Sequence, residues 1–335
     1  KLTAFLLIFG LLLVGCGKGK AGRQEIRDDR PMEKQLFILD TVVTIKLFDN
    51  KSDEVMNGVV DVIKTYNDRL SAYEKGSDIN RINSNGTAWT EVDPSTVEVI
   101  RKGLDYSEKS GGRFDITIGA VSMLWDFTDV NSAVPSLDSI REGLRHVDYR
   151  QVAVDGNRVQ LKQEGMKLDL GGIAKGYIAD KAKEYLLEKG VRSAIINLGG
   201  NVLCVGDKNG QAFQVGIQDP AKIRNEIIGT AAVHDASMVT SGIYERYVKN
   251  NGHRYHHILD ATTGFPCEDG IAQVTIFSKK SVDGDALSTT CFLLGVAEGM
   301  TLIESMADTE ALFVTNKGER IFSSGFEAGV AWVGK

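Results

Sequence analysis

Two carboxylates and two threonines crowd one short stretch, VDGDALSTTCFLLG, residues 282–295. Asp285 and Thr289 are four apart, so on a helix they share one face about one turn apart. Acids at a helix start accept backbone N–H groups and suit the helix dipole. The same oxygens could hold a hard cation such as Mg²⁺. The stretch alone leaves both readings open. A second stretch, MKLDLGGIAKGYIADKA (166–182), runs a strand into Gly171-Gly172 and then straight into a helix. Glycines let a ligand approach the backbone, a helix start favours phosphate, and Lys175 adds charge in the first turn. A turn that simply needs φ > 0 explains the glycines equally well. The pattern is neither a Walker A loop nor G-x-G-x-x-G, so a nicotinamide-type turn is unsupported.

The third stretch, HRYHHILDATTGFP (253–266), holds three of the five histidines. On an extended strand His256 and His257 point to opposite faces, so they cannot serve one site together, and a zinc site is poorly supported. One of them could act as a general base near phosphate. GGRFDITIGAVSMLWDF (111–127) and VTSGIYERY (239–247) mix aromatics, acids and small residues. Taken singly, each fits core or turn as well as site.

These stretches need elements to hold them. FILDTVVTIKLF alternates and is β-branched, which predicts a strand. Helical spacing follows in SDEVMNGVVDVIKTYNDRLSAY, in STVEVIRKGLDYSEKSGG (stopped by Gly111-Gly112), and in DSIREGLRHV. QVAVDGNRVQL reads as a hairpin and MKLDL as a strand. GIAKGYIADKAKEYLLEKG is a long helix ending at Gly190. SAIINLGGNVLCVG, AFQVGIQD, GTAAVHDASMVTS and GIAQVTIFS are strands, the last leading to a helix near Asp285. EALFVTN and RIFSSG close the chain. Adjacent strands with helices inserted between them predict an α+β fold with largely antiparallel sheets.

The 335 residues carry 42% apolar and 25% charged side chains, enough for a sizeable core. A net charge of −6 excludes a nucleic-acid surface. Leu2 to Val14 is apolar apart from Thr3 and Gly10, follows Lys1, and reads as a secretory h-region. It ends in Leu-Val-Gly-Cys, with Cys16 where a lipoprotein signal has its acylated residue. The expected organisation is a signal over 1–15, a lipidated tether over 16–35 and one folded domain over 36–335. Cys204 and Cys291 sit in apolar runs and are expected in the core, Cys267 in a loop. No C-x-x-C occurs and no spacing demands a disulfide.

Across nearly all of 36–335 the chain resembles the ApbE family of FAD:protein FMN transferases, flavin-trafficking lipoproteins of bacteria. The resemblance rests on LDTVVTI, LSAYEKGSDINRIN, FDITIGAV, LDLGGIAKGY, INLGGNV, TSGIYERY, HHILDATTG and DGDALSTT, in the family's order. The family more often has Asp-Pro where this chain has Asp260-Ala261, a turn position. The resemblance implies an ApbE-like (T-fold-like) fold and several roles. Asp285, Thr289, the backbone around Ser288 and the Ala174 carbonyl would hold Mg²⁺ against the FAD diphosphate. Leu39, Tyr73, Phe114, Asp115, Ile116, Thr117, Gly171, Lys175, Tyr177 and Leu259 would contact the flavin nucleotide, with His257 as base. Two helix starts, the one after Gly172 and the one near Asp285, would then face one diphosphate. FMN would pass from FAD to a threonine of a membrane or envelope flavoprotein with loss of AMP. The enzyme would be lipid-anchored outside the cytoplasm. An FAD pyrophosphatase yielding FMN and AMP, and a non-catalytic flavin-binding lipoprotein, remain alternatives.

Overall fold

The segment FILDTVVTIKLF is a hairpin and not the single strand its alternation suggests. β1 (Met32–Ile38) turns at Leu39-Asp40 into antiparallel β2 (Thr41–Leu47). Leu39 and Asp40 take left-handed backbone, φ 59° and 54°, as a two-residue turn matched to strand twist requires. No glycine marks that turn, so the sequence reads as continuous. The computed structural model describes residues 30–222 and 226–335. The expected signal, Cys16 and most of the expected tether lie outside these residues. Because β1 begins at Met32, residues 32–35 belong to the sheet and not to the tether.

Helix α1 (Asp53–Leu70) starts under a Ser52 cap, whose hydroxyl accepts from Val55 N, and buries the stripe Val55, Val59 and Ile63. Next come α2 (Asp78–Ser84), β3 (Thr90–Glu91) and α3 (Pro94–Lys109), which stops at Gly111-Gly112, both at positive φ. Short α4 (Gly119–Ser122) and α5 (Leu137–Leu144) lead to the expected hairpin, β4 (Val152–Asp155) with β5 (Arg158–Leu161). MKLDL makes only an isolated bridge, Lys167 to Ile118, and is not a strand. Helix α6 (Ala174–Glu188) precedes β6 (Ser193–Leu198), β7 (Asn201–Gly206) and β8 (Phe213–Gln218). GTAAVHDASMVTS splits at Asp235 (φ 44°) into β9 (Ile227–Val233) and β10 (Ser237–Gly242), which join different sheets. The chain ends through β11 (Tyr247–Asn250), β12 (His253–His256), β13 (Ile271–Ser278), α7 (Ser281–Glu304), β14 (Glu310–Thr315), β15 (Arg320–Phe322), α8 (Phe326–Gly329) and β16 (Ala331–Gly334).

The main sheet runs β1-β2-β6-β7-β10-β13-β14-β15 with every ladder antiparallel. This is the expected α+β architecture. Both faces of its middle are covered. Leu203, Val205, Val274, Ile276 and Phe313 point into the core shared with α1, α6 and α7. Their neighbours Val202, Cys204, Phe277, Leu312 and Val314 point into a second core under the small sheet β16-β9-β8. Period-two alternation with both faces apolar gives the continuous hydrophobic runs of these strands.

Candidate active site

Helices α6 and α7 complete each other's first turns. Neither has a side-chain cap from its own N-cap residue, Ile173 or Lys280. Asp180 of α6 supplies one for α7: its Oδ1 accepts Ser281 N at 2.9 Å and its Oδ2 accepts Val282 N at 3.0 Å. Asp285 of α7 returns the favour, its Oδ2 accepting Gly176 N at 2.8 Å. The helices can approach this closely only because residue 176 is glycine; a β-carbon there would lie 2.3 Å from the Ser281 carbonyl oxygen. Asp283 serves elsewhere. It accepts from Tyr106 Oη at 2.7 Å and pairs with Lys102 Nζ at 2.7 Å, tying α7 to α3. The first turn of α7 is thus consumed by Asp180, which corrects the expectation of two helix starts facing one diphosphate. Of the two helix starts, that of α6 lines the cleft, through Ala174 and Lys175.

This cleft is deep. Leu39 and Asp40 at the hairpin tip, Ser71 to Tyr73 after α1, and Phe114 and Asp115 form one side. The loop Asp169–Gly172, Ala174 and Lys175 form the floor, with Asp285 and Thr289 of α7 beside them. Gly172 lies so close to Phe114 that a β-carbon would meet its ring at 2.8 Å. His257, Ile258 and Leu259 close the far wall with Glu245 and Arg246. Asp285 and Thr289 share the cleft-facing side of α7, as their spacing of four predicts. Asp285 is buried, and no lysine or arginine pairs with it among the described residues. Burial pushes its carboxyl above the usual range, while Lys175, the Gly176 N–H and Asn201 pull it back. A buried carboxylate short of positive charge, beside a hydroxyl and a carbonyl, is a donor set that suits a hard cation. Among the described residues there is no group of three or more His, Cys, Asp or Glu able to hold a metal. A cation here would lean on hydroxyl, carbonyl and phosphate oxygens.

His257 sits just past β12. Its backbone N and Nδ1 both reach the Arg246 carbonyl at 3.2 Å. A carbonyl only accepts, so Nδ1 carries the proton and Nε2 keeps its lone pair. Burial, then Arg246 and Lys175, hold the imidazole well below its usual pKa, so it is neutral at pH 7. His256 points the other way, as strand geometry predicts. Its Nε2 donates to the Cys267 carbonyl at 2.9 Å and its ring packs edge-on against Phe292.

Leu39, Tyr73, Phe114, Asp115, Gly171, Ala174, Lys175, His257, Leu259, Asp285 and Thr289 therefore meet at one cleft. Three expected contacts stand behind its wall and are corrected. Tyr177 is 3% exposed and donates to Glu98 Oε2 at 2.7 Å, away from the cleft. Ile116 and Thr117 are buried; Thr117 N and Oγ1 both bond Asp115 Oδ1, which makes that pair a turn. Ser288, expected to act through its backbone, is buried, with its Oγ donating to the Asp285 carbonyl and meeting Ser241 Oγ. Sequence reading did not single out Asn201, Asp169, Arg113 or Arg246, all on the cleft wall. Asn201 and Asp169 lie inside INLGGNV and LDLGG, so the motifs flagged the segments without ranking their side chains. Cys204, Cys267 and Cys291 are buried and unpaired. Cys267 lies within the predicted loop but is buried.

The chain is similar to the FAD:protein FMN transferase of Treponema pallidum, at 34% identity over 91% of this chain and 89% of the relative. It is equally similar to the one from Klebsiella pneumoniae, 34% identical over 89% and 93% of the two chains. The crystal structure of the ApbE protein of Thermotoga maritima superposes with a TM-score of 0.82, at 32% identity, over 89% of this chain and 99% of that one. The flavin transferase ApbE of Vibrio cholerae, at 24% identity and TM-score 0.79, shares the fold over 89% and 98% of the two chains. Residues 39–313 match the family as a whole, and the chain belongs to the ApbE family.

Proposed function

We propose that this protein is an FAD:protein FMN transferase. It uses Mg²⁺, moves FMN from FAD to a threonine hydroxyl of an envelope flavoprotein, and releases AMP. The observation that carries the reading is the meeting of Asp285 and Thr289 with the Gly171–Lys175 loop and a neutral His257 in one cleft. Asp285, Thr289 and the Ala174 carbonyl would hold the cation, which when bound supplies positive charge to the phosphate oxygens and the leaving group. The glycine loop and Lys175 would cradle the diphosphate of FAD. Nε2 of His257 takes the proton of the incoming hydroxyl as the new P–O bond forms at the FMN-side phosphorus. The P–O bond to the AMP side breaks, and AMP departs with the electron pair. The proposal includes a lipid anchor at Cys16 outside the cytoplasm, supported by the apolar run and the Leu-Val-Gly-Cys that ends it.

The test is Asp285→Asn, which keeps the side chain's volume and an acceptor for Gly176 N while removing its charge. AMP release from FAD, and flavin transfer to a threonine-containing acceptor peptide, should both fall below detection at saturating Mg²⁺. Normal turnover by the folded variant would refute the metal assignment. Normal AMP release without transfer in the parent enzyme would favour hydrolysis instead.

A further inference from the structure

One guanidinium gathers three segments of the cleft wall. Arg113 lies between Gly112, at φ 86°, and Phe114, and lines the cleft. Its Nη2 donates to the Leu293 carbonyl at 2.8 Å and to Asp269 Oδ2 at 3.1 Å. Asp260 Oδ2 lies 3.2 Å from the same nitrogen. The two N–H groups of Nη2 thus serve a carbonyl and one carboxylate, and the second carboxylate is held by charge. Nε of the same side chain is buried with no hydrogen-bond partner among the described residues. A buried unpaired donor costs stability, so an apolar side chain of similar length would suit this spot better if packing were its only task.

Leu293 and Asp260 belong to different parts of the site. Leu293 lies one turn past Thr289, just before Gly295 (φ 79°, ψ 174°) breaks the regular turn of α7. Carbonyls ahead of such a break lose their i+4 donors, and Arg113 meets this one. Asp260 is buried and directly follows the wall formed by His257, Ile258 and Leu259. Its Oδ1 accepts Thr262 N at 2.7 Å and Thr262 Oγ1 at 2.6 Å, and its carbonyl accepts Gly264 N at 2.8 Å, which stiffens the turn. Other bonds of this wall stay within it or reach the neighbouring strand: Cys267 N to Ile258 O, His256 Nε2 to Cys267 O, His257 N to Arg246 O. A segment bonded mainly to itself moves as a unit. The start of α7, by contrast, is fixed separately by Asp180 and by the Asp283 knot. Arg113 is therefore a charged tie between a stiff wall and a fixed helix.

We propose that Arg113 is a positioning residue: by holding the Asp260 turn against the broken end of α7, it sets where His257 stands relative to Asp285 and Thr289. This rests on the reading above in which His257 takes the proton of the incoming hydroxyl. A misplacement of about 1 Å can cost about 10²-fold in rate. The test is a double-mutant cycle in the full chain, with FAD, Mg²⁺ and a threonine-containing acceptor peptide, below the unfolding temperature of every variant. Arg113→Met should lower the rate of transfer at saturating FAD by about 10–100-fold. FAD affinity, titrated by flavin fluorescence without metal, should stay within about threefold. In a His257→Ala background the same substitution should cost less than about threefold, because a base that is absent cannot be misplaced. An equal loss in both backgrounds would mean that the guanidinium acts on the substrate or on the fold at large, and would overturn the proposal. So would an unchanged rate, or a loss confined to FAD affinity. A parent enzyme that His257→Ala does not slow would instead remove the base assignment, and this proposal with it. Should Arg113→Met fail to fold, Asp260→Asn cuts the same ion pair while keeping an acceptor for Thr262; an unchanged rate in that variant overturns the proposal equally.

Discussion

Replacing Asp180 by Asn should change how stability depends on pH, not only how large it is. Burial pushes the Asp180 carboxyl up to about 6 from an ordinary 3.8, against the pull of the Ser281 and Val282 N–H groups and Lys183. A raised pKa means the folded state binds its proton more tightly than the unfolded chain does. The associated stability is fully present below about pH 4 and is lost as pH rises through about 6. Roughly two pH units at about 1.4 kcal/mol each make this about 3 kcal/mol. Asparagine has no such proton. It can still accept one of the two N–H groups, but its NH₂ then meets the other, so the variant is weaker at every pH. The parent protein's advantage over Asp180→Asn should therefore be about 3 kcal/mol larger at pH 4 than at pH 7. Urea unfolding of both proteins at half-unit pH steps measures it, because titrating groups not coupled to Asp180 cancel in the difference. A difference that stays flat from pH 4 to pH 7 would refute the picture of Asp180 as a buried cap shared between helices.

Two further outcomes follow from the same geometry. Gly176→Ala places a β-carbon 2.3 Å from a backbone oxygen of α7, which cannot yield without parting the helices. Stability should drop by about 1–3 kcal/mol, and AMP release should fall with it as the Asp285–Gly176 bond opens; a variant of unchanged turnover would show that the helix contact does not set the site. His257→Ala should slow transfer by about 10²–10⁴-fold at nearly unchanged stability. His256→Ala should do the reverse, losing about 2–3 kcal/mol through the broken Cys267 bond and the void beside Phe292. Kinetics and urea melts on the pair would expose an inverted facing of this strand.

The site was legible where a single element carries it. Asp285 and Thr289 face the cleft because a spacing of four on a helix forces them onto one side. His256 and His257 diverge because adjacent strand residues must. What failed to show involves partners far along the chain. Tyr177 sits next to the glycine loop in sequence, yet the helix turns it toward Glu98 of α3, a partner 79 residues away in the chain. Asp283 resembles Asp285 in every local respect; Tyr106 and Lys102, supplied by another helix, give it a different task. Asp180 carries no local mark of its role because its partners lie 101 and 102 residues on. In the fold, alternation revealed the strands but not the break at Leu39-Asp40, since a left-handed turn without glycine leaves no mark. Continuous apolar runs such as β13 follow from cores on both faces of the sheet, a property no local pattern distinguishes from a buried helix.

The mutual completion of α6 and α7 also bears on when activity can appear during folding. Each helix needs a carboxylate that arrives with the other, and the bonds concerned close loops of 101 to 109 residues. Loops of that length form late, once most of the intervening chain is already ordered. Asp285 cannot reach its cleft-facing place before β6 to β13 have brought α7 to the sheet. On the function proposed above, a nascent or partly unfolded chain would have no half-built centre to split a dinucleotide without an acceptor at hand. Competence should arrive in one kinetic step, together with the last docking of α7, and refolding followed by AMP release should show a lag as long as that step.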